Sequence, residues 1–112
     1  MKYYVRLNDE VAEVEGSKFK EDNRLFYVNL RKNNLSVNDA NYLLVDIRTG
    51  LYVFSAKSKK TLFEIYQQQK EKYDNYFQYK ELMIKYEKEL KELIEKGKLD
   101  KDVNYDMYDI DD

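Results

Sequence analysis

The stretch Tyr42-Leu43-Leu44-Val45-Asp46-Ile47-Arg48-Thr49-Gly50-Leu51-Tyr52-Val53-Phe54-Ser55-Ala56 decides the fold. Two apolar runs, Tyr42 to Arg48 and Leu51 to Ala56, flank Thr49-Gly50, which is the pattern of an antiparallel hairpin. Thr is β-branched and resists a positive φ. A type I turn through Arg48-Thr49, with Gly50 as the left-handed bulge residue, is therefore expected in preference to a two-residue turn. That register sets Ile47 opposite Leu51 and Val45 opposite Val53, with Leu44, Asp46, Tyr52 and Phe54 on the other face. A two-residue turn would instead place Tyr52 and Phe54 beside Val45 and Ile47.

Upstream of the hairpin, Lys2 to Asn8 alternates, with Tyr3, Val5 and Leu7 on one face, as a half-buried strand does. Asn8-Asp9 turns the chain into a second run, Glu10 to Glu15, that is expected to end at Gly16-Ser17. Arg24 to Arg31 alternates again, opposing Phe26, Val28 and Leu30 to Leu25, Tyr27, Asn29 and Arg31. The Asn-rich stretch Asn33 to Asn41 reads as a loop.

Downstream, Ser58 to about Lys96 is helical in pattern. Thr61-Leu62-Phe63-Glu64 has capping-box spacing, and Gly97 suits a C-terminal cap. A seven-residue frame puts Leu62, Gln69, Tyr76, Met83 and Leu90 at a, and Ile65, Lys72, Tyr79, Tyr86 and Leu93 at d. Gln69 and Lys72 interrupt this seam. One straight rod would span about 58 Å at 1.5 Å per residue, more than a small sheet can cover. Either the rod pairs with a second copy, or it breaks near Asp74-Asn75 with Asn75 capping a second helix. Asp and Asn are poor in helix interiors and good as caps, which favours the break.

The chain is thus read as α+β: a small antiparallel β-sheet of four to five strands, followed by a long C-terminal helix or helical hairpin and an acidic tail. Residues 1–99 form one domain, with 1–57 supplying the sheet and 58–97 the helical part, and residues 98–112 form the tail. At 112 residues there is room for a single domain. No Cys and no His are present, which excludes thiolate and imidazole catalysis, disulfides and the usual zinc sites. The start lacks the apolar core of a signal peptide, and no run approaches a membrane span, so no membrane contact is expected and the cytoplasm of a bacterial host is the expected compartment.

The net charge of -2 is unevenly laid out. Residues 100–112 hold six Asp and one Lys, whereas the sheet part is mildly basic. In the tail, Asp100, Asp102, Asp106, Asp109, Asp111 and Asp112 alternate with Tyr105, Met107, Tyr108 and Ile110. Carboxylates at short spacing can imitate phosphates while the aromatic rings anchor, so this segment can act as a nucleic-acid mimic toward a basic partner surface. The plainer reading is a solubilising terminus.

All four arginines, Arg6, Arg24, Arg31 and Arg48, lie in or at the ends of the expected strands, together with Tyr4, Tyr27, Tyr42 and Tyr52. On an open face, Arg6, Arg31, Arg48 and Tyr52 could grip phosphates and stack on bases of a single strand. The preferred reading is that one sheet face packs on the helix and these arginines pair with nearby Glu or Asp, because the small positive excess of the sheet part is weak for phosphate binding. The helical tyrosines Tyr66, Tyr73, Tyr76, Tyr79 and Tyr86 do not fit one stripe, and those left exposed suit a protein-binding surface. For catalysis, Asp46 followed after the turn by Ser55-Ala56-Lys57 approaches a metal-nuclease layout, but Ser55 stands where a second carboxylate is needed. No catalytic residue, metal or cofactor is assigned.

In overall character, a small α+β chain rich in Lys, Asn and Tyr with the Tyr-bearing acidic end Asp100 to Asp112, the protein resembles the anti-CRISPR inhibitors of phages and mobile elements. The resemblance implies a stoichiometric protein-binding inhibitor of a nucleic-acid-handling enzyme such as a Cas nuclease. It would act by protein–protein interaction, by occupancy and without turnover. The alternatives are a homodimeric scaffold joined through the helical seam and a single-stranded nucleic-acid-binding sheet.

Overall fold

The computed structural model describes residues 1–97. Five strands, β1 (Lys2–Leu7), β2 (Glu10–Lys18), β3 (Leu25–Asn29), β4 (Tyr42–Asp46) and β5 (Tyr52–Ala56), form one antiparallel sheet in the order β1-β2-β3-β4-β5. Helices α1 (Lys59–Phe77) and α2 (Lys80–Lys96) follow. The α+β reading with a five-stranded antiparallel sheet therefore holds. The sheet curls until β1 meets the start of β5, where the Arg6 N–H donates to the Gly50 carbonyl at 2.7 Å.

Leu43, Leu44 and Val45 are all fully buried, because both faces of β4 are covered. One core lies inside the curl, where Val5, Val14, Phe26, Val28 and Val45 meet. The segment between β3 and β4 is more than a connector, since its Leu35 and Val37 close that core. Asn34 and Asn38 take the positive φ its bends require. The second core lies under α1, where Leu62, Tyr66 and Tyr73, spaced by four and seven residues, pack on Leu25, Leu44 and Phe54.

Several boundaries differ from expectation, each for a local reason. Strand β2 does not end at Gly16-Ser17 but changes partner there: residues to Glu15 pair with β1, and Gly16 to Lys18 pair with β3. A Cβ on Gly16 would lie 2.9 Å from both the Phe26 ring and the Tyr27 carbonyl, so only glycine lets the strand cross over. In the β4–β5 hairpin, Leu44 faces Phe54 as expected, but Val45 faces Tyr52 and Val53 is the extra residue. The cause is Asp46, whose carboxylate accepts from the Arg48 N–H at 3.0 Å and the Thr49 hydroxyl at 3.1 Å and draws a fourth residue into the turn. The Gly50 N–H then donates to the Asp46 carbonyl at 2.8 Å, with Gly50 at φ +74°, left-handed as its position required.

The helix cap also shifts. Ser58 receives the Thr61 N–H at 3.1 Å, in place of the expected Thr61–Glu64 box. The rod is broken, but at Gln78-Tyr79 rather than at Asp74-Asn75, and Asn75 caps nothing. Arg24 explains the delay: its guanidinium binds the Asp74 carboxylate at 2.7 Å and lies 4.5 Å and 4.9 Å from the Tyr73 and Phe77 ring centroids, holding that turn helical. Gly97 ends α2, its N–H donating to the Ile94 carbonyl at 3.2 Å. At 1.5 Å per residue the helices are about 28 and 25 Å long, which fits a body of 32 × 32 × 30 Å. No helix among the described residues is long and apolar enough to cross a membrane.

Candidate binding surfaces

The charged residues of the sheet fall into two groups, decided by which end of the strands they occupy. At the β4–β5 turn end, Arg6 Nη1 donates to Glu89 at 3.1 Å and Arg48 Nε to Glu87 at 2.7 Å, so two arginines from the sheet tie down α2. Arg24 binds Asp22 in a two-pronged pair, with Nε to Oδ1 at 2.8 Å, and reaches Asp74 with the same guanidinium. Burial acts to raise the Asp22 pKa, but hydrogen bonds from the Arg24 side chain and backbone and from the Tyr66 hydroxyl outweigh it and hold it below the ordinary carboxylate value. Burial and this same carboxylate push the Tyr66 phenol up to about 12.

Beside these pairs, β5 and the two helices enclose a groove of about 430 Å³ walled by Tyr52, Phe54, Tyr73, Tyr76 and Tyr86. Gln69 and Lys72, the residues that interrupt the heptad, line it. Burial, then the neighbouring Tyr86, pushes the Tyr76 phenol up to about 12. The Tyr73 hydroxyl is buried without a hydrogen-bond partner among the described residues, and burial together with the Asp46 charge raises its pKa. Burial likewise raises the Asp46 pKa, against the opposing bonds from Arg48 and Thr49.

At the opposite end of the strands, α1 begins beside the Tyr42–Ala56 pair and runs back toward the turn, which leaves the strand ends uncovered by the other described residues. Two adjoining clefts of about 350 and 460 Å³ result, sharing Asn29, Lys32, Tyr42 and Lys59. Arg31 and Lys57 extend one cleft, and Tyr27 floors the other. Lys59 Nζ donates to the Tyr27 hydroxyl at 3.1 Å and sits 4.5 Å from its ring centroid. This bond, with that from Ser17, lowers the Tyr27 phenol pKa despite partial burial, a sign of positive potential in the cleft. No acidic residue stands in the first turn of α1, where the helix dipole would favour one.

The candidate residues read from the sequence are thus not brought together as one site. Arg6 and Arg48 hold α2, Tyr52 is 37% exposed on the aromatic groove, and Arg31 stands at the far end of the sheet. Asp100, Asp102, Tyr105, Asp106, Tyr108, Asp109, Asp111 and Asp112 lie outside the described residues. Asp46 is cross-strand from Leu51 and about 20 Å along the strand from Lys57 at 3.3 Å per residue, so the nuclease-like layout is pulled apart. Among the described residues no group of three or more Asp, Glu, His or Cys could hold a metal ion. Of the helical seam, Leu62, Met83 and Leu90 are buried in the chain itself, and Tyr79 is exposed. The lysine cluster was not visible in the sequence, where a whole hairpin separates Lys32 from Lys57 and Lys59. No protein-family model, curated protein or solved structure matches the chain.

Proposed function

We propose that this chain is a non-catalytic binding protein that inhibits a nucleic-acid-handling enzyme, such as a Cas nuclease, by occupying a basic surface on it. The observation that carries the reading is the aromatic groove. Tyr52, Tyr76 and Tyr86 present partly exposed rings from three different elements, backed by the second core and by the Arg6–Glu89 pair. Rings held in this way offer a partner large contact area with little side-chain entropy left to lose. The six aspartates of residues 100–112 add the field that steers such a protein toward a positive surface. Inhibition of this kind is stoichiometric, because the inhibitor blocks a surface and transforms nothing.

The test is titration of the partner captured from host cells and then purified. Tyr52→Ala/Tyr86→Ala, and separately a full-length chain with all six tail aspartates changed to Asn, should each weaken binding more than about tenfold at moderate salt, the scale of a hot-spot loss. Unchanged affinity in both variants, or turnover of a substrate by substoichiometric protein, would overturn the reading.

A further inference from the structure

We propose that the trough formed by Tyr27, Tyr42, Arg31, Lys32, Lys57 and Lys59 binds the sugar–phosphate backbone of single-stranded nucleic acid. The trough runs across the strands from Ser17 on β2, past Tyr27 on β3 and Tyr42 on β4, to Lys57 just beyond β5. Three inter-strand spacings make this about 14 Å, the length of about four stacked nucleotides.

The side chains match that ligand in kind as well as in extent. Arg31, Lys32, Lys57 and Lys59 form no ion pair among the described residues, and Lys59 meets only the Tyr27 phenol and the Tyr27 and Phe63 rings there. The carboxylate on the lining, Glu15, takes the N-terminal ammonium at 2.9 Å. Four exposed cations therefore line one concave surface with no compensating acid among the described residues. Such an arrangement is costly in self-repulsion and is relieved by a polyanion. Between the cations lie Tyr27, whose ring Lys59 covers at 4.5 Å, and the half-buried Tyr42, whose ring can stack on a base whatever its sequence. An acidic peptide would match the charge but leave the Tyr42 ring without a flat partner.

Fluorescence anisotropy with a labelled oligo(dT) of about ten nucleotides and the full-length chain tests the assignment. Four phosphate contacts predict a slope of log K against log salt of about −2.8, an affinity loss on the order of 50-fold between about 50 and 200 mM salt. Lys32→Ala/Lys57→Ala should halve the slope to about −1.4. Tyr42→Leu should weaken binding about tenfold with the slope unchanged, since it removes stacking and leaves the charges. Lys88→Ala/Lys91→Ala, on α2, should change nothing. No binding at low salt, binding indifferent to the Lys32/Lys57 change, or equal affinity for a poly-aspartate peptide of the same charge would each overturn the proposal. None of these results depends on the aromatic groove, so the two sites fail separately.

Discussion

Arg6, Arg24 and Arg48, at the β4–β5 turn end of the sheet, each meet a carboxylate, whereas Arg31, Lys32, Lys57 and Lys59, at the other end, meet none among the described residues. The same residue types therefore serve two purposes, divided by position along the strands. At the turn end the arginines are partly shielded by α1 and α2, where an unpaired charge would be costly, and those helices supply Asp74, Glu87 and Glu89, with Asp22 before β3 as the second partner of Arg24. At the uncovered end water solvates the cations, so the fold tolerates them unpaired and leaves them available to a ligand. The first group reports on stability and the second on binding, and exchanging those expectations between the two ends is the most direct way to break the distinction.

Arg24→Ala should give the largest effect. Asp22 is only 8% exposed, and removing its guanidinium leaves a buried carboxylate with the Tyr66 hydroxyl as its remaining side-chain donor while freeing Asp74 and the turn above it. A loss of about 3 kcal/mol is expected, read as a shift in denaturant midpoint at constant m-value. Arg31→Ala should stay within about 0.5 kcal/mol of the parent, as exposed substitutions do. Equal losses at the two positions would erase the distinction.

Gly50→Ala should follow, at about 2 kcal/mol. Its φ of +74° is strained for alanine, and the added Cβ would lie 3.0 Å from Leu90 Cδ1 and push α2 off the turn. Arg48→Gln, which removes only the partly exposed pair with Glu87, should cost under about 1 kcal/mol. That order would show that packing, more than ion pairing, seats α2.

The two buried carboxylates of the paired end make opposite pH signatures. Asp22 titrates below its unfolded value of 3.8, so its stabilisation is complete above that value and is lost as pH falls through the lower folded pKa. Asp46 titrates above 3.8, so its ionised form opposes folding at neutral pH and the penalty is relieved as pH falls through the raised folded pKa. In denaturant titrations, Asp22→Asn should therefore flatten the acid loss of stability and Asp46→Asn should steepen it. The same direction of change in both variants would contradict the assignment.

Much of this fold is legible in local pattern, because alternation in Lys2 to Asn8 and in Arg24 to Arg31 and the paired runs around Gly50 each reflect one sheet face or one turn. What escaped local reading depends on residues far apart in sequence. Gly16 looks like a terminator, and only the Phe26 ring and Tyr27 carbonyl beside it reveal a strand changing partner. Asp74 has the propensity of a cap, but Arg24, fifty residues earlier, binds its carboxylate and carries α1 onward to Phe77. The hairpin register slips by one at Val45 because a buried Asp46 side chain, not the backbone preference of Thr49, closes the turn. Pairing was anticipated for all four arginines; it holds for Arg6, Arg24 and Arg48, and Arg31 has no carboxylate among the described residues. The lysine trough was not, since sixteen lysines carry no pattern until the strands are in register.

The smallest effect separates the two ends without any ligand. Four like charges around one trough repel one another, and a repulsion that no carboxylate among the described residues offsets must appear as a slight destabilisation of the folded state. Lys32→Ala/Lys57→Ala should therefore stabilise the protein by a few tenths of a kcal/mol, opposite in sign to Arg24→Ala, Gly50→Ala and Arg48→Gln at the turn end. Because the Debye length shortens from about 30 Å at 0.01 M salt to about 10 Å at 0.1 M, added salt should bring the same relief to the parent and shrink the gain in the variant. At the turn end, screening weakens attraction, so the salt dependence of Arg48→Gln should run the other way: its deficit should be greatest at low salt. Parallel thermal melts of parent, Lys32→Ala/Lys57→Ala and Arg48→Gln across that salt range measure both signs. A destabilised lysine variant would mean that the trough cations have structural partners after all, and the uncovered end would then be no different in kind from the paired one.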